Sequence, residues 1–177
     1  FKTTSPSMDI LVSSNLERLL YHVTGSDTEV AALMKSLAET GSYTVRPETL
    51  RTIQESFACG WSSEEQVAGE IRARYEQDGY LCDTHTAVAF HVAAQHKRDG
   101  VPMVVLSTAS PFKFPRSMLE ALGQTAPAND FEAMQQLEEI TGRTAPASLS
   151  ALRRKAERFN TVIDPEQIAQ VALSYQA

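Results

Sequence analysis

The chain has 177 residues, of which 42% are hydrophobic and 21% are charged, as is usual for a globular protein of one domain. The formal net charge is −6 and no run of lysine or arginine occurs, which argues against a nucleic-acid partner. No apolar run reaches the roughly 18–20 residues that cross a bilayer, and no signal peptide is visible. Cys59 and Cys82 are isolated thiols without zinc-type spacing, so we expect no metal site and a reduced, cytoplasmic protein. Because no apolar run is long enough, we also expect no membrane partner.

Most of the chain shows the hydrophobic period and the capping residues of helices. Ser13 or Ser14 is the predicted cap of the first helix, and Asp83 caps a helix that is apolar on most sides and should be largely buried. Capping boxes, in which two side chains satisfy free N–H groups, are predicted for Ser26 with Glu29, Ser62 with Glu65, and Asn129 with Glu132. The predicted helices cover 15–23, 26–40, 47–57, 62–78, 84–96, 116–122, 129–140 and 149–156, and a last one runs from 164 towards Tyr175.

Short apolar segments between these helices predict strands. Residues 101–106 are rich in branched apolar side chains, which suits a strand buried on both faces. Strands that alternate with helices favour an α/β fold over an all-helical bundle. The predicted strands are few and short, so we interpret them as an incomplete sheet, one side of a larger one. They lie at 8–12, 43–45, 101–106 and 159–163.

Polar residues follow the predicted strand 101–106 directly. Ser107, Thr108 and Ser110 stand where an open α/β sheet places its ligands, just beyond the carboxyl end of a strand. An ordinary connection between a strand and a helix would use the same turn-forming residues. From the residues alone, both interpretations stay open.

Three segments, in the same order along the chain, resemble motifs of the threonine synthase family. Residues 107–115 are similar to its T-A-x-P-x-K-F core, and residues 5–19 to its P-S-M-D-I…S-N-x-E-R-L segment. Residues 83–89 resemble its D-P-H-T-A-V-A segment, with Thr84 where the family usually has proline. The three segments follow the order of the family, and the resemblance covers essentially the whole chain.

The resemblance implies an α/β fold class: the helix-rich part of a fold-type II, tryptophan synthase β-like enzyme that uses pyridoxal 5′-phosphate. Such enzymes convert O-phospho-L-homoserine and water to L-threonine and phosphate. Residues 1–177 would then form a single C-terminal portion of the catalytic domain. The partner would be the lysine-bearing N-terminal part of the same enzyme, which is absent from this sequence.

The resemblance also assigns the cofactor contacts. Thr108 matches the hydroxyl that faces the pyridine nitrogen in this fold type, with Ser107 beside it. A hydroxyl can hydrogen-bond that nitrogen without forcing its full protonation, whereas an aspartate would favour a pyridinium. The other interpretation is that Thr108 only closes the strand.

Four further residues of the matching segments are candidate substrate-binding residues: Lys113, Asn15, Arg18 and His85. Lys113 could stabilise the departing phosphate as a point charge, or could be a surface or salt-bridged lysine. Arg18 could instead pair with Asp9 or Asp83 in a structural role.

No catalytic residue is expected in this chain. The lysine that holds the cofactor covalently belongs to an N-terminal family motif that none of the lysines here matches, namely Lys2, Lys35, Lys97, Lys113 and Lys155. We therefore expect the chain to be inactive alone. The alternative is a non-catalytic, threonine-synthase-like binding or assembly module. A threonine dehydratase is a third possibility, against which residues 5–10 and 107–115 argue.

Overall fold

The computed structural model describes residues 2–10 and 12–174. Leu11, in a predicted strand, and Tyr175, at the predicted end of the last helix, lie outside the described residues. The described residues form nine α-helices joined by loops and short 3-10 turns. The helices are α1 (Ser14–Thr24), α2 (Asp27–Thr40), α3 (Pro47–Gln54), α4 (Glu64–Asp78), α5 (Thr84–His96), α6 (Pro115–Ala121), α7 (Asp130–Thr141), α8 (Ala147–Ser150) and α9 (Ile168–Ser174). None of them combines the length and the apolar character that a bilayer crossing requires.

The chain divides into two compact units, Phe1–Ala145 with α1 to α7 and Pro146–Ala177 with α8 and α9. In the second unit, 3-10 turns extend α8 over Ala151–Arg154 and precede α9 at Pro165–Gln167. No residue of the helices described there is buried. The buried side chains therefore concentrate in the first unit.

Two groups of helices make up the first unit. In one, α1 packs against α2 and α3. In the other, α4 packs against α5 and α6, and α6 against α7. Arg72 of α4 joins two members of the second group, because its Nε and Nη2 atoms donate to the Ala121 carbonyl at 3.1 and 2.9 Å. This carbonyl lies at the end of α6, where backbone acceptors lack helical partners. The core side chains of this group are Val67, Ile71, Met118, Leu119, Ala133 and Leu137.

Several predicted helix caps are confirmed. Ser13 Oγ accepts from the Leu16 N–H at 3.3 Å, and Asn129 Oδ1 accepts from the N–H groups of Phe131 and Glu132 at 2.9 and 3.2 Å. These bonds satisfy amides that have no partner inside their own helix. Asn129 acts as a cap without the predicted capping box, since no bond returns from Glu132.

The other two predicted capping boxes are also wrong. Ser26 Oγ does accept from the Glu29 N–H at 3.1 Å, but the Glu29 carboxylate pairs with Arg46 instead of returning to the cap. The cap of α4 is Ser63, one residue later than predicted, and its box partner is Gln66. Gln66 Oε1 accepts from the Ser63 N–H at 2.8 Å, and Ser63 Oγ from the Gln66 N–H at 3.2 Å.

The predicted strands are not found: no residue between 2 and 10 or between 12 and 174 is in a strand. A strand needs a hydrogen-bonding neighbour, and the described residues provide none for 101–106. Val104 and Leu106 are instead 75% and 74% exposed, although both were expected to be buried. The structure is thus helix-rich, as predicted, with the sheet-forming segments unpaired.

The predicted burial of α5 is confirmed only at its start. Thr84, Thr86 and Ala87 are buried, whereas Phe90 and Val92 are only half-buried. Close packing against α4 covers one side of α5 and leaves the rest partly open.

Candidate functional site

The three segments that carry the family motifs meet at the start of helix α5. His85 Nε2 accepts from the Ser7 N–H at 3.2 Å, and Thr84 Oγ1 donates to the Thr4 carbonyl at 2.9 Å. Both bonds attach the N-terminal segment to α5. We call the residues that meet here, Thr4, Ser7, Asp83 to Thr86 and Ser107, the α5 cluster.

Residues 107–115, which follow α5 in the sequence, also contact the start of this helix. Thr86 Oγ1 and Ser107 Oγ are 3.5 Å apart, which is the outer limit of a hydrogen bond. The ring centroids of His85 and Phe114 are 5.0 Å apart, at a distance typical of aromatic contacts. Motifs that are about 80 and about 20 residues apart in sequence are therefore in contact.

Asp83 is the centre of the α5 cluster, and its side chain is fully buried. As the N-cap of α5, its Oδ1 accepts from the N–H groups of His85 and Thr86 at 2.9 and 3.4 Å. The same oxygen lies 3.0 Å from His85 Nδ1, while Oδ2 accepts from the Thr86 hydroxyl. These bonds, together with the favourable field at a helix N-terminus, offset the cost of burying a carboxylate.

The bonds of His85 define its tautomer. Nδ1 faces the Asp83 carboxylate, which can only accept, so Nδ1 carries the proton. Nε2 accepts from the Ser7 N–H and therefore presents its lone pair to the backbone. Both ring nitrogens are thus engaged within the chain, and the ring braces the N-terminal segment against α5.

The loop that follows the predicted strand 101–106 leaves its hydroxyl groups accessible. Ser107 and Thr108 are exposed, and Thr108 has no hydrogen-bond partner among residues 2–10 and 12–174. Ser110 Oγ accepts from the Phe112 N–H at 3.3 Å and caps the 3-10 turn Pro111–Lys113. Phe112 is buried, so this turn anchors the loop while Thr108 stays available to a ligand.

Lys113 lies at the edge of an open groove of about 300 Å³. Its Nζ is 5.6 Å from the centre of the Phe114 ring, a cation–π distance. Arg116 also lines the groove, but so do the acidic side chains of Glu120 and Asp130. The two cations are therefore offset by two carboxylates, and the groove has mixed charge.

Asn15 and Arg18 bind each other and not the α5 cluster. Both are exposed on α1, where the Arg18 guanidinium donates to Asn15 Oδ1. The predicted pairing of Arg18 with Asp9 or Asp83 is wrong. Asp9 accepts instead from the N–H and hydroxyl of Thr3 at 2.8 and 2.9 Å, and these two bonds lower the pKa of the Asp9 carboxyl.

The two cysteines are free thiols in different surroundings. Cys59 is exposed, whereas Cys82 is buried directly before the cap of α5. Burial raises the pKa of the Cys82 thiol to about 11, and the neighbouring Asp83 carboxylate adds to this shift. Among the residues that the structure describes, no three His, Cys, Asp or Glu side chains are grouped to hold a metal ion.

Known proteins share both the sequence and the architecture. Residues 86–172 match the family model described as "Threonine synthase, C-terminal". Threonine synthase of Pseudomonas aeruginosa is 35% identical over 170 residues, which cover 94% of this chain and 32% of that protein. The chain belongs to the threonine synthase family.

Solved threonine synthases support the same assignment. The structure of the pyridoxal-phosphate-bound threonine synthase of Brucella melitensis superposes with a TM-score of 0.77 at 34% identity, over 98% of this chain and 34% of that one. The yeast threonine synthase gives a TM-score of 0.74 at 25% identity and covers 98% of this chain and 36% of that one. The helix-rich fold is thus consistent with a piece of a fold-type II enzyme of the threonine synthase family.

The chain spans about a third of the length of the threonine synthases named above. It corresponds to their C-terminal part, since the matching family model is that of the C-terminal region. Within this third, the α5 cluster is built entirely from residues of the chain itself.

Sequence reasoning about this threonine synthase segment missed Asp83 as the centre of the site. Asp83 was predicted only as a helix cap, and His85 as a substrate contact. A signal was present: an N-cap aspartate has one oxygen for the helix amides and a second one free, and residues two and three positions later point back towards it. His85 and Thr86 hold those positions.

Proposed function

We propose that the chain is the C-terminal part of a threonine synthase that converts O-phospho-L-homoserine and water to L-threonine and phosphate with pyridoxal 5′-phosphate. The main support is that the three motif segments, far apart in sequence, meet at the start of α5 in a chain 35% identical to a threonine synthase. The free thiols of Cys59 and Cys82 are compatible with a reducing, cytoplasmic location.

The described residues fit one side of the cofactor. The Thr108 hydroxyl is exposed and free of partners within the described chain, as a hydroxyl reserved for a ring nitrogen should be. When bound, pyridoxal phosphate supplies the electron sink of the reaction. Thr108 would hydrogen-bond its ring nitrogen, with Ser107 beside it.

No lysine of this sequence matches the family motif that carries the covalent anchor. Lys113 extends over the Phe114 ring and Lys35 pairs with Glu39 on α2, and neither belongs to the α5 cluster. The anchor would therefore come from the N-terminal part of the enzyme. The role of this chain is to complete and orient the site.

Lys113 and Arg116 are the candidates for the phosphate end of the substrate. Both line the groove beside the loop, and a lysine acts on a phosphate as a mobile point charge. Glu120 and Asp130 reduce the positive potential of the groove, which favours release of the phosphate after cleavage over tight retention. Asn15 and Arg18, paired on α1, are proposed to contact the substrate from a separate surface.

His85 is proposed to shape the substrate site without exchanging protons. Its Nδ1 proton is directed to Asp83 and its Nε2 lone pair to Ser7. A proton transfer at either nitrogen would break one of these bonds. The ring instead packs against Phe114, which belongs to the same loop as Lys113.

The test is Thr108→Val in the full-length enzyme, which keeps the shape and removes the hydroxyl. We expect turnover to fall roughly tenfold or more, with an altered cofactor absorbance, because one charge-tuning hydrogen bond is lost. Thr125→Val, in an exposed loop, is the matched control and should leave both unchanged. Unchanged turnover and spectrum in Thr108→Val would rule out this contact.

A second comparison separates the enzyme from a binding or assembly module. The 177-residue chain and the full-length protein are each supplied with pyridoxal phosphate and O-phospho-L-homoserine, and released phosphate is measured. We expect release by the full-length protein only. No release by either would favour the non-catalytic alternative, whereas release by the isolated chain would contradict the proposed division of the site.

A further inference from the structure

The buried carboxylate of Asp83 divides its two oxygens between two tasks. Oδ1 caps α5 and holds His85, whereas Oδ2 accepts from the Thr86 hydroxyl and from no other group among residues 2–10 and 12–174. Capping alone does not need a carboxylate, since serine and asparagine cap helices about as well as aspartate. The second oxygen is therefore the feature that calls for explanation.

The hydrogen bonds beyond Oδ2 have a fixed direction. A threonine hydroxyl has one proton, and Thr86 gives it to Asp83 because an ionised carboxylate can only accept. Because that proton is already used, any hydrogen bond in the 3.5 Å contact between Thr86 and Ser107 has Ser107 as its donor. The result is a directed relay in which Ser107 donates to Thr86 and Thr86 donates to Asp83.

We propose that Asp83 is a positioning residue that acts through this relay on the loop 107–115. Thr86 holds the side chain of Ser107, and Ser107 is the residue directly before Thr108. Ser107 is exposed, and its contact with Thr86 links the backbone that carries the Thr108 hydroxyl to α5. This inference rests on the proposed function, in which Thr108 faces the cofactor ring.

The relay predicts an unusual effect of Asp83→Asn. The amide oxygen of asparagine can still cap α5, and its NH₂ group then faces Thr86 as a donor. Thr86 would accept from residue 83 and donate to Ser107, which reverses the relay without removing the helix cap. Fold and volume are preserved, but the proton of Ser107 is released.

The experiment measures the apparent affinity for pyridoxal phosphate and the cofactor absorbance of the full-length protein. Four variants form a double-mutant cycle with rescue: Thr86→Val, Ser107→Ala, both together, and Thr86→Ser. We expect Thr86→Val to weaken cofactor affinity roughly two- to tenfold, because the neutral hydrogen bond that positions Ser107 is lost, and Thr86→Ser to restore it. The double variant should be no weaker than Thr86→Val, because both substitutions break one relay.

Thr49→Val is the matched control for a buried threonine, since Thr49 lies on α3, in the other group of helices. It should leave cofactor affinity and absorbance unchanged even where it alters thermal stability. If Thr86→Val does not fold, Thr86→Ala, which also removes the hydroxyl, replaces it in the cycle, with the same expected lack of additivity.

Two results would overturn the inference: unchanged cofactor affinity in Thr86→Val, or losses that multiply in the double variant, which would mean that Ser107 contacts the cofactor independently. Failure of the proposed function is recognised separately. In that case the unsubstituted protein itself would not bind pyridoxal phosphate.

Discussion

Cys82 shows how burial beside a carboxylate changes one titration. Its pKa is raised from 9.0 to about 11, so in the folded chain the thiol stays protonated where the unfolded thiol has ionised. The unfolded state then binds fewer protons than the folded state. The contribution of Cys82 to the free energy of unfolding is therefore fully present below pH 9 and is lost as the pH rises towards 11.

Between pH 9 and about 11, we therefore expect the free energy of unfolding to fall by roughly 2 kcal/mol more in the unsubstituted 177-residue chain than in its Cys82→Ala variant. Urea titrations of both chains from pH 8 to 11 measure this difference, since tyrosines and lysines contribute equally to both. Parallel pH profiles would contradict the raised pKa.

At the residue scale, sequence reasoning singled out segments that the structure brings into contact, but it assigned several wrong partners. His85 and Ser107 were both expected at a functional site, and the structure brings them into one cluster. The bond between His85 and Ser7 could not be predicted, because it joins residues 78 positions apart. The substrate roles of Lys113, Asn15 and Arg18 stay predictions.

At the scale of the element, the start of α4 distinguishes two adjacent serines. Ser63 caps the helix, whereas Ser62 Oγ is buried with no hydrogen-bond partner in the part of the chain that the structure describes. Removing a cap hydroxyl exposes an unsatisfied amide, but removing an unpaired hydroxyl costs nothing comparable.

Ser63→Ala should accordingly lower the free energy of unfolding by about 1 kcal/mol, and Ser62→Ala should leave it unchanged or slightly higher. Chemical denaturation of the two variants measures both effects under one set of conditions. A larger loss in Ser62→Ala would restore the cap predicted from sequence.

Local signals explain which elements were predictable. Caps such as Ser13 and Asn129 depend on residues two or three positions away, so the sequence nearby suffices. At α4, both Ser62 with Glu65 and Ser63 with Gln66 satisfy the capping-box pattern, and only the geometry separates them. Strands depend on a distant neighbour, which is why 101–106 could be recognised as strand-like but not placed.

At the scale of the whole molecule, residues 101–106 present exposed apolar side chains on backbone that has no strand neighbour among the described residues. Val104 and Leu106 are mostly exposed, and branched apolar side chains on unpaired backbone favour pairing with another chain. We expect the isolated 177-residue chain to associate increasingly with concentration.

Val104→Lys should reduce this association without changing the free energy of unfolding, because Val104 is 75% exposed. Light scattering across a concentration series measures it. Thr125→Lys is the control for charge: either lysine moves the net charge of −6 towards zero, which by itself favours association. Equal scattering by the two variants would mean that 101–106 is not the associating segment.

The long separations within the α5 cluster bear on the order of folding. Thr84 binds Thr4 across 80 positions, whereas Thr86 reaches Ser107 across only 21. The entropy lost in closing a loop grows with the logarithm of its length, so the shorter closure costs less and can precede the longer one. We expect α5 to contact the loop 107–115 first and the N-terminal segment last, so that the α5 cluster forms from its C-terminal members towards its N-terminal ones.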